Sequence, residues 1–213
     1  YSPFVFGCTD TSALNYNLLA IVDDSSCCYN TGQLWSQISQ DIDGESAIDY
    51  SGFGISLNSD GNIVAAGAPY NDGNGANSGH TRVYENIVNS WSQIGQDIDG
   101  EAAGDDSGFS VSINSSGTTV AIGAPYNNAN GSNSGHVRVY ENISGIWTQI
   151  GQDIDGEAIN DFSGRAISLS SDGTTVAIGA DGNDGTSSNT GHVRLYTKFL
   201  DPILGTYTWT QIG

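Results

Sequence analysis

WSQIGQDIDGE, residues 91–101, is the stretch that decides the fold, because it occurs twice more almost unchanged, as WSQISQDIDGE at 35–45 and WTQIGQDIDGE at 147–157. Each copy starts 56 residues after the one before (Trp35, Trp91, Trp147), and His80, His136 and His192 keep the same interval. Self-similarity at this period is the mark of a repeat architecture. Trp209 falls six residues late because TKFLDPILGTYT replaces the shorter ENISGI turn, and a hairpin loop tolerates such extra length.

Between copies of this stretch the hydrophobic period is two. Phe109, Val111 and Ile113 alternate with Ser110 and Ser112, which predicts a strand that the following Ser-Ser-Gly turn ends. TVAIGA (119–124) predicts a strand buried on both faces, with small residues that let a neighbouring sheet approach closely. HVRVY (136–140) alternates again, and Trp147–Ile150 follows after a turn containing Ser144 and Gly145. Each repeat therefore predicts four short antiparallel strands, a unit that must stack on copies of itself to bury its faces. The fold class is all-β: four-stranded antiparallel blades stacked as a β-propeller or part of one, with three blades in this chain. Counted from each Trp, the blades span about 34–90, 91–146 and 147–213, after an N-terminal cap module at 1–33.

Composition agrees. The 213 residues include 29 Gly, with 37% hydrophobic residues, enough for a core but poorly suited to long helices. Five Lys plus Arg against 24 Asp plus Glu give a formal charge of −19, a field that repels nucleic acid and anionic lipid. It suits salt water or a calcium-containing extracellular setting, where screening and coordination relieve carboxylate repulsion. No run approaches the roughly 20 apolar residues of a membrane-spanning helix.

The chain resembles the FG-GAP repeat family, the blades of integrin-α-like propellers. The matching residues are Ser107, Gly108 and Phe109 followed by Gly123, Ala124 and Pro125, with counterparts Gly52, Phe53 and Gly54 and then Gly67, Ala68 and Pro69 in the first repeat. The third repeat departs, with Arg165 in place of Phe and Asp181 in place of Pro. The resemblance implies propeller blades and a calcium loop between the first two strands. Here those turns, 58–61, 114–117 and 170–173, have too few carboxylates for that site and read as tight β-turns.

Residues 7–29 resemble a short module of secreted proteins from marine microbes, written CTD, ALNYN, VDDGSC. Cys8 with Cys27 or Cys28 brackets a segment with little core of its own, which predicts a stapling disulfide. Cys28 is the addition to the module's pattern, so the resemblance implies Cys8–Cys27 and leaves Cys28 as a free or intermolecular thiol. Asp10, Asn15, Asn17, Asp23 and Asp24 are candidate calcium ligands in the same module.

The acidic connection is the richest chemical motif. Oxygen ligands at alternate positions resemble half of a calcium loop, so Asp41, Asp43, Glu45 and Asp49 are candidate metal ligands. Asp97, Asp99, Glu101 and Asp105 are their counterparts in the second repeat, and Asp153, Asp155, Glu157 and Asp161 in the third. The competing reading is a turn with solvated carboxylates. His80, His136 and His192 each precede an Arg by two residues, which places both on one strand face. Recurrence in every repeat points to a hydrogen bond or ion pair between blades. Asn114, Asn130 and Asn142 lie in Asn-Xaa-Ser sequons, glycosylation sites in a eukaryotic source.

No nucleophile elbow, phosphate loop or metalloprotease motif occurs, and repeated carboxylates supply no asymmetric acid and base, so no enzyme is expected. The expected function is an extracellular structural or adhesive repeat protein, a surface or filament component stabilised by calcium. The alternative is a propeller module that recognises a glycan or protein within a larger secreted or cell-surface protein. Expected partners are further blades of a longer chain or other copies of this one, because bare end blades should self-associate.

Overall fold

The computed structural model describes residues 4–28, 36–185 and 187–213; Trp35 lies outside them. The chain divides into two compact units, 1–38 and 39–213. In the first, β1 (Phe6–Gly7) pairs in parallel with β2 (Val22–Asp23), and a disulfide joins Cys8 to Cys27. Among the described residues there, Cys8 and Ala13 are the buried hydrophobics, and the cross-link supports a segment with so small a core.

The second unit is all strand and turn among its described residues. Its first sheet is β3 (Gly54–Leu57), β4 (Ile63–Ala68), β5 (His80–Asn86) and β6 (Trp91–Gln93) in that order, with β7 (Ile98–Asp99) also on β5. The second repeats the plan with β8 (Ser110–Ile113), β9 (Thr119–Ala124), β10 (His136–Ile143), β11 (Ile146–Gln149) and β12 (Ile154–Asp155). The third is β13 (Ala166–Leu169), β14 (Thr175–Ala180), β15 (His192–Leu200) and β16 (Tyr207–Ile212). All neighbours are antiparallel, so each sheet is a meander of the kind that forms a propeller blade, and the three do not close into a ring. Each Trp strand is the outermost strand of its sheet: a Trp closes a blade, and the acidic connection leads to the next. The late arrival of Trp209 is absorbed by the β15–β16 hairpin, whose turn is tied by Asp201 Oδ1 accepting from the amides of Ile203 and Leu204.

The core lies between sheets. Ala65, Val83 and Ile98 of the first cluster with Val111, Ile113, Val120, Ile122, Tyr140 and Trp147 of the second. Ala121, Val137, Val139, Ile150 and Ile154 cluster in the same way with Leu169, Val176, Ile178, Tyr196 and Trp209. Each fully buried aliphatic side chain contributes about 1.5–3 kcal/mol through the area it removes from water. The alternation of β8 therefore has another meaning than apolar-in, polar-out. Both faces of the middle sheet are covered, and Ser112 Oγ accepts from the Leu169 amide (2.9 Å) while Ser110 Oγ donates to the Gly164 carbonyl (2.6 Å).

The paired Gly motifs meet at these interfaces. A Cβ on Gly67 would overlap the backbone of Gly108, and one on Gly123 would overlap the carbonyl oxygen of Gly164. The Gly of one repeat's GAP segment thus packs on the Gly that precedes Phe109 or Arg165 in the next, at a spacing only backbone can reach.

Candidate functional site

The acidic connection is held by the blade that follows it. His136, Arg138 and Tyr140 alternate along β10 and so share one face. From there the Arg138 guanidinium donates to the Asp99 carbonyl (2.8 Å), lies 3.3 Å from a Glu101 carboxylate oxygen and sits over the Tyr140 ring (5.6 Å to its centre). Arg194 repeats this on Asp155 (2.8 Å), Glu157 (3.4 Å) and Tyr196 (5.5 Å). Arg82 does so on Asp43 (3.4 Å), Glu45 (3.2 Å) and Tyr84 (5.7 Å). All three guanidinium groups are buried, where a cation requires a partner, and the acidic connection supplies it.

Neighbouring residues of the motif complete the latch. A Cβ on Gly100 or Gly156 would overlap the carbonyl oxygen of Ser78 or Ser134, which explains the Gly in DIDGE. Gln96 brackets the backbone of Trp147, donating to its carbonyl (2.9 Å) and accepting from its amide (3.2 Å), and Gln152 treats Trp209 in the same way (2.8 and 3.0 Å). The buried indoles donate to the carbonyls of Ile94 and Ile150, each at 2.8 Å.

The candidate metal ligands of one repeat do not come together among the described residues. Asp49, Asp105 and Asp161 are buried and accept from the side-chain amides of Asn71 (2.9 Å), Asn127 (3.0 Å) and Asn183 (3.0 Å). Asp105 and Asp161 also accept from the amides of Ala102 and Ala158. Asp41, Asp43 and Asp99 are exposed, the last two serving through their carbonyls, while Asp155 is partly buried and burial raises its pKa. What does converge comes from successive repeats: Glu45, His80 and Asp97 form one group, and Glu101, His136 and Asp153 another.

In the second group His136 Nδ1 lies 3.9 Å from Asp153 and 4.0 Å from Glu101. In the first, His80 Nδ1 is 3.9 Å from Asp97, and in the third repeat His192 is 3.8 Å from Glu157. These separations are too long for hydrogen bonds. Burial, reinforced by the adjacent Arg138 charge and opposed by Asp153 and Asp105, pushes the His136 pKa down to about 4, so its ring is neutral near pH 7. His80 is lowered for the same reasons, burial first and Arg82 second. The expected hydrogen bond or ion pair between blades is carried by the Arg residues, and at His80 and His136 the imidazole is a neutral base facing carboxylates.

Elsewhere the polar motifs serve their own turns. In the first unit Asp10, Asp23 and Asp24 accept from the amides of Ser12, Ser25 and Ser26, and Asn17 from that of Leu19. Asn15 joins Ser26 to Cys28, whose thiol is free and exposed. The three sequon asparagines have structural work. Asn114 is buried and its Oδ1 accepts from Thr118 and Thr119, Asn130 donates to the Gly156 carbonyl, and the Asn142 nitrogen is buried. A glycan on the buried side-chain nitrogen of Asn114 or Asn142 would have to displace it, whereas Asn130 is exposed. Sequence reading missed Gln96, Gln152 and the Asn71, Asn127 and Asn183 set, although each recurs at the 56-residue interval that would have found it.

Fold and latch together define a class, an open array of propeller-type blades joined by acidic connections. The family profile described as the FG-GAP repeat matches residues 98–140, a stretch from the acidic connection to the end of HVRVY. No curated protein matches the chain. Among solved structures it is similar to a 6-phosphogluconolactonase candidate from Bacteroides uniformis (14% identity, TM-score 0.49). Two others are hydrazine synthase from Kuenenia stuttgartiensis (12%, 0.38) and Hsv2 from Kluyveromyces lactis (12%, 0.41). The similarity covers 75%, 74% and 85% of this chain but only 39%, 37% and 65% of those, so the chain spans less than two thirds of their length.

Proposed function

We propose that this chain is a non-catalytic building module of an extracellular structural or adhesive protein, made to continue by adding blades of its own kind. The supporting observation is the bare face at each end of the array. Val193 and Leu195 on β15 are exposed, whereas their counterparts Val137 and Val139 on β10 are fully buried under the third sheet. At the opposite end Ile55 and Leu57 on β3 are exposed, while the corresponding Val111 and Ile113 on β8 are buried. These faces match the two halves of the internal interfaces, so a further blade, from a longer chain or a second copy, has a preformed seat. The disulfide in the first unit and the charge of −19 support an extracellular setting.

Analytical ultracentrifugation at micromolar concentration tests the reading. The chain is expected to self-associate, and the pair Val193→Glu and Leu195→Glu to reduce it to monomer with an unchanged β-sheet circular dichroism spectrum. A wild-type chain that stays monomeric over that range would refute assembly through the bare faces.

A further inference from the structure

We propose that Glu101, His136 and Asp153 form a binding site for a divalent first-row transition ion, with Zn2+ or Mn2+ the expected class, and that Glu45, His80 and Asp97 repeat it one blade earlier. In each group the His Nδ1 and one oxygen of each carboxylate lie within 4.8 Å of one another. Nδ1 of His136 is the independent sign: it is buried, points at both carboxylates and has no hydrogen-bond partner. Leaving a buried ring nitrogen without a partner costs free energy, and a bound ion would supply that partner.

The ligands are already oriented. The other oxygen of Asp153 accepts from Gln149 Nε2 (2.6 Å), and the other oxygen of Glu101 faces Arg138 at 3.3 Å. Asp97 is held in the same way by Gln93 (2.6 Å) and Glu45 by Arg82 (3.2 Å). Such outer partners fix ligand geometry in metal sites. For bonds of about 2.0–2.2 Å, tetrahedral ligands stand roughly 3.3–3.6 Å apart, so the observed 3.9 and 4.0 Å close by less than about 1 Å on binding. Glu101 and Asp153 have side chains 44% and 31% exposed, which gives the ion a path from solvent and the carboxylates room to move. One imidazole nitrogen with two carboxylates suits zinc or manganese better than calcium, which takes oxygen ligands. Arg138 cancels one of the two carboxylate charges, and a dication more than balances the remainder. The ion would join two repeats, since each group takes its Glu and its Asp from successive acidic connections.

The whole chain carrying Cys28→Ser, to exclude thiol binding, is stripped with a chelator and titrated with Zn2+, Mn2+ and Ca2+ separately by calorimetry. About two Zn2+ or Mn2+ per chain are expected, with a melting temperature raised by about 5 °C or more at saturation. Co2+ should give the visible absorption of a low-coordinate site with a nitrogen ligand. His136→Gln should remove one ion and half the absorption, whereas His192→Gln should leave both. Should His136→Gln fail to fold, Asp153→Asn provides the same subtraction from the more exposed side. The proposal is overturned by an absence of Zn2+ and Mn2+ binding, by a stoichiometry that neither His136→Gln nor Asp153→Asn changes, or by Ca2+ binding as tightly as Zn2+.

Discussion

β10 and β15 carry nearly one sequence, HVRVY and HVRLY, yet they live in different surroundings. Val137 and Val139 are 0% and 1% exposed, Val193 and Leu195 65% and 41%. The two strands' registers on the preceding strand, β9 for β10 and β14 for β15, correspond residue for residue, so local sequence accounts for the strand and not for the burial. β10 has β12 on its edge and the third sheet over its face, and β15 has neither among the described residues. The same holds for Gly123, pressed against Gly164, and Gly179, whose Cβ would meet Ala166 at an ordinary 3.5 Å.

Five substitutions, in three tests, break or sharpen this contrast. Gly123→Ala forces a methyl into the Gly164 carbonyl and should cost about 3 kcal/mol or more in chemical denaturation, because neither backbone can yield. Gly179→Ala should change stability by under about 0.5 kcal/mol, and equal losses at the two sites would show that the interface is not the cause. Next, Arg138→Met removes the cation that holds Asp99 and Glu101 and should cost about 2 kcal/mol, against under about 0.5 kcal/mol for Arg165→Met at an exposed pair. The smallest effect concerns Asp106. Burial, with Asp105 adding to it, raises the Asp106 pKa to about 6. The folded state therefore holds a proton that the unfolded chain releases near pH 4, so this carboxylate lowers stability as pH rises from about 4 to 6. Asp106→Asn, which also suits the positive φ of 53° there, should raise stability at pH 7 by roughly 1–2 kcal/mol and flatten the pH profile in that window. An unchanged pH 7 melt would contradict the placement of Asp106.

The departures of the third repeat explain one another. Arg165, in place of Phe, lies 3.4 Å from Asp181, in place of Pro, and it stacks over Phe109 (5.8 Å) and Phe162 (5.6 Å). It thereby continues the aromatic row that Phe53, Phe109, Tyr126 and Phe162 form along successive blades. Two changes that depart from the repeat in sequence form a contact with each other in space.

The candidate site was legible in kind and illegible in membership. The acidic connection stood out, and its carboxylates were grouped by nearness in sequence as a calcium loop would group them. In the fold, Asp105 turns inward to Asn127, Glu101 turns to Arg138, and the carboxylate that joins Glu101 at His136 is Asp153, a whole repeat away. Spacing along the chain cannot show such a pairing, because the distance that matters crosses the interface.

Period and alternation determined the four main strands of each blade and the turns between them, since these follow from short-range backbone preference and from which side chains avoid water. They did not determine the short β7 and β12 inside the acidic connections. Tertiary structure decided which identical faces are covered and which carboxylates share a histidine. Those outcomes depend on one sheet lying against another, and a repeated sequence is the same whether or not that neighbour is there.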